Sequence, residues 1–265
     1  MHMNDTRSGI ASTGSPVEST QAAPSAAVLK DLAPTGKLRA AINYGNSVLA
    51  QQGPNGEPGG VSVELARALA KRLGVEVQLV EVHAAGKSFE ALATGKADIG
   101  FIGIEPARAA EIDYSPCYVI LDGAYIVRQD SPLKEVGDVD KPGITVGVGL
   151  ASVYDLYLTR TLKHATLVRA KVGGGAAGLP VFLEQNLDVA AGVRQPFEDY
   201  VKEHPEMRML PGRFQEIRQA MGTPKGRPAG LGYMRDFIEE MKASGFVAAA
   251  LKRSGQAAEV APPEG

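Results

Sequence analysis

One stretch constrains this chain more than any other: Ala97 to Arg108, running on through Ile112 to Tyr118. Asp98 to Ile104 is an apolar run with two glycines, Gly100 and Gly103. It predicts a short buried strand whose backbone another group approaches closely. Glu105-Pro106 then predicts a helix opening, with Pro106 at the first helical position, where its missing N–H costs nothing. Arg108 falls one turn in, beside free backbone N–H groups and the positive end of a helix dipole. That arrangement suits a carboxylate or a similar anion. An ordinary strand-turn-helix with Arg108 in solvent accounts for the same residues equally well.

The same strand-then-helix unit recurs along the chain. Leu38 to Asn43 reads as a strand that runs into the polar loop Tyr44-Gly45-Asn46-Ser47. Val61 to Leu73 has helical apolar spacing and ends at Gly74, and Val75 to Val82 alternates as a strand. Lys87 to Gly95 predicts a short helix, Ala124 to Val127 a strand, and Gln129 to Pro132 a break. Beyond it, Ile144 to Val148 leads into a helix capped by Ser152 with Asp155 three residues on. Leu187 to Gly192 is another buried strand, followed by Val193-Arg194-Gln195-Pro196 and a helix. Gln215 to Gly222 returns the chain to its first half, and two helices, Gly230 to Ala243 and Gly245 to Ser254, close it. Repeated strand-helix units imply parallel sheets with crossover helices, an α/β fold. Residues 1 to 28, rich in small and polar residues, read as a tail, as do residues 257 to 265.

Composition removes several classes of function. A net charge of −2 offers no basic excess for nucleic acid or an anionic membrane surface. Tryptophan is absent, and the single cysteine, Cys117, permits neither an intrachain disulfide nor a multi-cysteine metal site. Gly173-Gly174-Gly175 invites a phosphate-loop reading, but no Lys-Ser/Thr pair follows it into a helix. His83, His164 and His204 each stand alone, without a catalytic partner in sequence, and read as surface residues. Neither a cofactor nor a metal is implied.

The order of an Ala-Asp-Ile strand (97–99), a Pro-x-Arg start (106–108) and a Tyr-Ser-x-x-Tyr segment (114–118) resembles the amino-acid type of bacterial extracellular solute-binding protein. These are the type II periplasmic binding proteins that serve ABC transporters. The resemblance spans about Gly36 to Gly255. It implies two lobes, each a mostly parallel sheet flanked by helices, joined by a two-strand hinge. Lobe one would comprise 36–127 and 215–256, and lobe two 130–213. It implies a non-enzymatic monomer that closes on a small carboxylate ligand, an amino acid or related organic acid, and delivers it to permease subunits. A periplasmic location follows from the family, although no basic segment with an apolar h-region is visible at the N-terminus. Met1-His2-Met3 reads as an expression remnant, and a cytoplasmic relative is the alternative.

Carried on to this sequence, the resemblance implies a ligand site built from Asn43, Tyr44, Asn46, Phe89, Gly103, Glu105 and Arg108 on one side. Ala151, Ser152, Arg194 and Gln195 face them from the other. Arg108 would hold the carboxylate, supplemented by Ser152 and nearby N–H groups. Two departures bear on the ligand: Glu105 replaces the family's Thr, and Val193 stands where an Asp commonly takes the ligand's ammonium. Either Glu105 receives the ammonium of an amino acid, or Arg194 joins Arg108 on a dicarboxylate. If neither, Glu105 merely caps its own helix and Arg194 faces solvent. A dehydratase of the cyclohexadienyl type on the same fold would need Glu105 as its general acid. A sensing module without a transporter is the third class.

Overall fold

A computed structural model describes residues 23–264. The first helix, α1 (Ala26–Leu32), is capped by Ser25, whose Oγ accepts from the backbone N–H of Val28 at 3.3 Å. The segment read as an N-terminal tail therefore ends in ordered helix, anchored by buried Val28 and Leu32; residues 1–22 of it lie outside the described residues. Strand β1 (Lys37–Asn43) leads through a small ribbon, β2 (Gln51–Gln52) paired with β3 (Pro58–Gly59), into α2 (Val61–Leu73). The apolar spacing of α2 does what it predicts: Val63, Leu65, Ala66, Leu69 and Leu73 are buried, and Gly74 ends the helix at φ 69°. Then come β4 (Glu76–Val82), α3 (Ala85–Ala93) and β5 (Ile99–Gly103), the last buried along its whole length.

The helix expected behind β5 is a single 3-10 turn, Pro106–Arg108. Four residues later the chain enters β6 (Ile112–Arg128), one continuous 17-residue strand whose β-branched and aromatic residues cluster at Tyr118 to Ile120 and Tyr125 to Val127. The expected short strand at 124–127 is only its end. The second half follows as β7 (Thr145–Val148), α4 (Val153–Thr161), β8 (Thr166–Arg169), α5 (Gly178–Glu184), β9 (Val189–Val193), α6 (Arg194–Glu203) and β10 (Met207–Met209). The return strand β11 (Gln215–Pro224), helices α7 (Pro228–Ala243) and α8 (Phe246–Arg253), and β12 (Glu259–Val260) complete the chain.

One ten-stranded sheet runs through the molecule in the order β4-β1-β5-β11-β6-β9-β7-β8, with β10 and β12 also on β6. In the first lobe β1 is parallel to β4 and β5, and in the second β7 is parallel to β8 and β9. Antiparallel β6 and β11 stand between these groups. Gly123 of β6 pairs with Gln215 on one flank and with Val193 on the other, so the lobes meet along two neighbouring strands. This is the type II periplasmic-binding-protein fold, with the carboxyl ends of β1 and β5 turned toward the second lobe.

The C-terminal segment read as a tail is also built in. β12 pairs with Val119 and Ile120 of β6, Ala261 is buried against Cys117 and Ile120, and Lys242 donates to the carbonyl of Pro262 at 2.9 Å.

Candidate ligand-binding cleft

In parallel α/β sheets ligands bind beyond the carboxyl ends of strands, and here those ends face the other lobe. β1 ends at Asn43, whose Oδ1 accepts from the N–H of Gly45 at 3.0 Å and so shapes the loop that follows. The carbonyl of Gly45 accepts from the N–H of Gly175 in lobe two at 2.8 Å. The triple glycine is thus a close-approach surface: a Cβ on Gly173 would lie 2.5 Å from Ala84 Cβ. β5 ends at Gly103, where a Cβ would stand 2.8 Å from Val153 of α4. Gly103 thus makes room for the opposite lobe, whereas a Cβ on Gly100 would meet Ser88 and Leu92 of α3.

Arg108 leaves the 3-10 turn and is buried, at 3% exposure. Its Nη2 donates to the carbonyl of Ala151 in lobe two at 2.7 Å, and its guanidinium lies 5.7 Å from the ring centroid of Phe89. Nη1 is buried without a hydrogen-bond partner among the described residues. Burial lowers the pKa of this guanidinium, while the neighbouring Tyr114 and Glu105 act in the opposite direction. A buried donor beside a donor already engaged across the interface is the half-satisfied fork that a carboxylate completes.

On the other side, Ser152 caps α4, its Oγ accepting from the N–H of Asp155 at 3.1 Å. Asp155 Oδ2 accepts in return from the N–H of Ala151 at 2.9 Å. Ala151 itself has φ 54°, a conformation that few non-glycine residues adopt. The two contacts on Ala151, Asp155 at its nitrogen and Arg108 at its oxygen, hold it there.

Between the lobes remains a cavity of about 30 Å³, lined by Asn43, Asn46, Phe101, Gly103, Ser152, Val153 and Gln219 among others. That is room for a water-sized molecule, so a whole amino or organic acid requires the lobes to part.

Residues 38–256 match the model of the bacterial extracellular solute-binding proteins, family 3. The chain belongs to that family. Among curated relatives, the amino-acid-binding protein AabA of Dichelobacter nodosus is 23% identical over 203 residues, 75% of this chain and 79% of that one. A mutant of ArgBP from T. maritima superposes with a TM-score of 0.72 at 20% identity, covering 86% of this chain and 99% of the other. AbpA of Streptococcus pneumoniae, an amino acid ABC transporter substrate-binding protein bound to L-arginine, gives 0.71 at 20% identity over 84% and 96%. The structural likenesses speak for the fold.

In this solute-binding protein the sequence-predicted site divides. Asn43, Asn46, Gly103 and Ser152 line the interlobe cavity, and Asn46 Oδ1 is buried with no partner. Arg108, Phe89 and Ala151 form the neighbouring cluster already described. Tyr44 packs beside His83, with ring centroids 6.0 Å apart, and burial raises the pKa of its phenol.

Glu105 and Arg194, both expected at the ligand, are engaged by other groups in this structure. Glu105, at 1% exposure, receives both guanidinium nitrogens of Arg160 from lobe two, Nη1 on Oε1 and Nη2 on Oε2 at 3.3 Å. Its Oε1 also accepts from the N–H of Ala107 at 3.5 Å, the helix-capping option. Arg194 turns to the hinge: it donates to Asp122 at 3.2 Å, faces Glu198 at 3.5 Å and reaches the carbonyl of Gly212. Gln195 lies beside it, lining a separate hinge-side pocket with Asp122 and Arg213. Val193 is buried in β9, at 2% exposure.

Two residues of the cleft escape a sequence reading. Gln219 is one of several polar residues of β11, and it lines the cavity beside a β-bulge between Gln219 and Ala220. Arg160 looks in sequence like a last-turn cation of α4, and only the closed interface shows its partner.

Proposed function

We propose that this protein captures a small carboxylate-bearing solute between its lobes and delivers it, outside the cytoplasmic membrane, to an ABC permease. Family membership supports capture of a solute, and the amino-acid-binding relatives support a ligand of that size. The observation that carries the reading is Arg108: a buried guanidinium with one free nitrogen, at the seam of the lobes and at the carboxyl end of β5. Closure buries the solute and adds contacts from the second lobe. Lobe one is assigned to 36–127 and 215–256 and lobe two to 130–213, with the protein acting as a monomer. No catalytic step is assigned, because both oxygens of Glu105, the general acid a dehydratase would need, are engaged by Arg160.

Calorimetric titration with amino and organic acids tests this reading. Charge-assisted hydrogen bonds are worth about 1.5–3 kcal/mol each, so Arg108→Ala should weaken binding by roughly 10- to 100-fold. Unchanged affinity would remove the carboxylate site.

A further inference from the structure

We propose that the solute carries its carboxylate without an α-ammonium group: a hydroxy, oxo or amide-bearing organic acid rather than a free amino acid. This rests on the reading of the cleft as a carboxylate clamp and specifies its ligand.

A buried zwitterion needs an anion beside its ammonium, because a charge taken from water without a counter-charge is strongly disfavoured. Among the described residues, the buried and half-buried acids around the cleft are engaged. Glu105 is held by the fork of Arg160. Asp155 receives the N–H of Ala151 on one oxygen, and on the other Thr159 Oγ1 at 3.2 Å and Arg169 Nε at 2.9 Å. Asp98 at the start of β5 is shared by Arg39 and Arg227, and Asp122 at the hinge by Arg194 and Arg213. Glu81 and Glu90 stand exposed on a neighbouring groove, Glu90 paired with Lys87 at 2.7 Å.

With Glu105 neutralised by Arg160 and Asp155 by Arg169, Arg108 is left at this seam with no carboxylate partner among the described residues. The polar side chains lining the cavity, Asn43, Asn46, Ser152 and Gln219, are uncharged. Asn46 Oδ1, buried and unpartnered, accepts from a hydroxyl or an amide N–H. With the amide turned over, the same position donates to an oxo group. The pair that sets this preference forms only across the interface. Arg160 belongs to α4 and Glu105 to the end of β5, so the closure that buries a ligand also brings the guanidinium to the carboxylate.

Arg160 is therefore a specificity-determining residue acting through Glu105. The test is calorimetric titration of the whole protein with matched trios, each an α-amino acid with its 2-hydroxy and 2-oxo counterparts, side chains ranging from methyl to basic and acidic. The expected result is binding of a hydroxy or oxo acid at least about tenfold tighter than of its amino acid, and weakened by roughly 10- to 100-fold in Arg108→Ala. In Arg160→Met, which frees Glu105, the discrimination should reverse. In the doubly substituted Glu105→Gln/Arg160→Met protein, which removes the Glu105 charge together with its partner, it should return to that of the wild type. Arg108-dependent binding that favours the amino acid in the wild-type protein would overturn the inference and leave the carboxylate clamp standing. No Arg108-dependent binding by any member would overturn both.

Discussion

Arg108 Nη2 donates to the carbonyl of Ala151 at 2.7 Å, a bond that spans 43 residues of sequence and joins the two lobes. The carbonyl occupies one arm of a fork whose other arm, Nη1, has no partner. A carboxylate that enters satisfies both arms, one of them by displacing Ala151. Arg108→Lys keeps the charge and loses the fork, so it should retain measurable affinity while losing roughly tenfold, about 1.4 kcal/mol. Calorimetry beside the alanine variant separates charge from geometry; equal affinity of the lysine variant and the wild type would mean that the fork is not used.

Asp98 is fully buried, and its side chain joins three segments of lobe one. It accepts from Arg39 Nε at 2.9 Å, Arg39 Nη2 at 2.7 Å and Arg227 Nη1 at 3.1 Å. Arg227 also donates to the carbonyl of Asp31 in α1. Removing one member of a buried ionic cluster strands the others, at a cost of about 3–5 kcal/mol. Asp98→Ala should lower the urea midpoint accordingly with little change in slope. A loss below 1 kcal/mol would mean that solvent replaces the carboxylate freely.

Cys117 lies under β12, with Ala261 and Ile120 around it, and burial pushes its thiol from 9.0 up to about 11. The folded protein holds this proton where the unfolded chain has released it. Stability is therefore unaffected by this group below pH 9 and falls as pH rises from 9 toward 11. At pH 8 a disulfide reagent should label native protein far more slowly than denatured protein. Comparable rates would show that the C-terminal segment opens freely.

The C-terminal segment should behave as part of the core. Deleting residues 257–265 removes the β12 ladder, the Ala261 contact, the Pro262 carbonyl that accepts from buried Lys242, and the Arg218–Glu264 ion pair. We expect a loss of about 2–3 kcal/mol and a fall in Tm of roughly 4–12 °C by calorimetry. An unchanged Tm would return this segment to the status of a tail.

How much of this was legible in the sequence depends on distance along the chain. α2 and β5 were readable because their determinants are local: apolar spacing closed by a left-handed glycine in one, an unbroken buried run in the other. The Ser152 cap was readable for the same reason. The turn at Pro106–Arg108 was misread because proline at a first helical position says that a helix opens, not how long it lasts. The strand that begins at Ile112 decides that. α1 and β12 were overlooked because each is short and held by tertiary contacts more than by its own pattern. Arg160, which holds Glu105, and Asp122, which holds Arg194, lie 55 and 72 residues away, and no spacing rule reaches that far.

Strand β6 carries a consequence for how the molecule comes apart. It is hydrogen-bonded to β11 along one lobe, to β9 and β10 in the other, and to β12 besides. The proposed capture of a solute needs two bodies that swing against each other, but heat or denaturant meets one lattice. Amide exchange should therefore find its slowest protons in a single strip crossing from lobe to lobe along β6, with the rims of both sheets opening first. Two halves that move separately would still melt together.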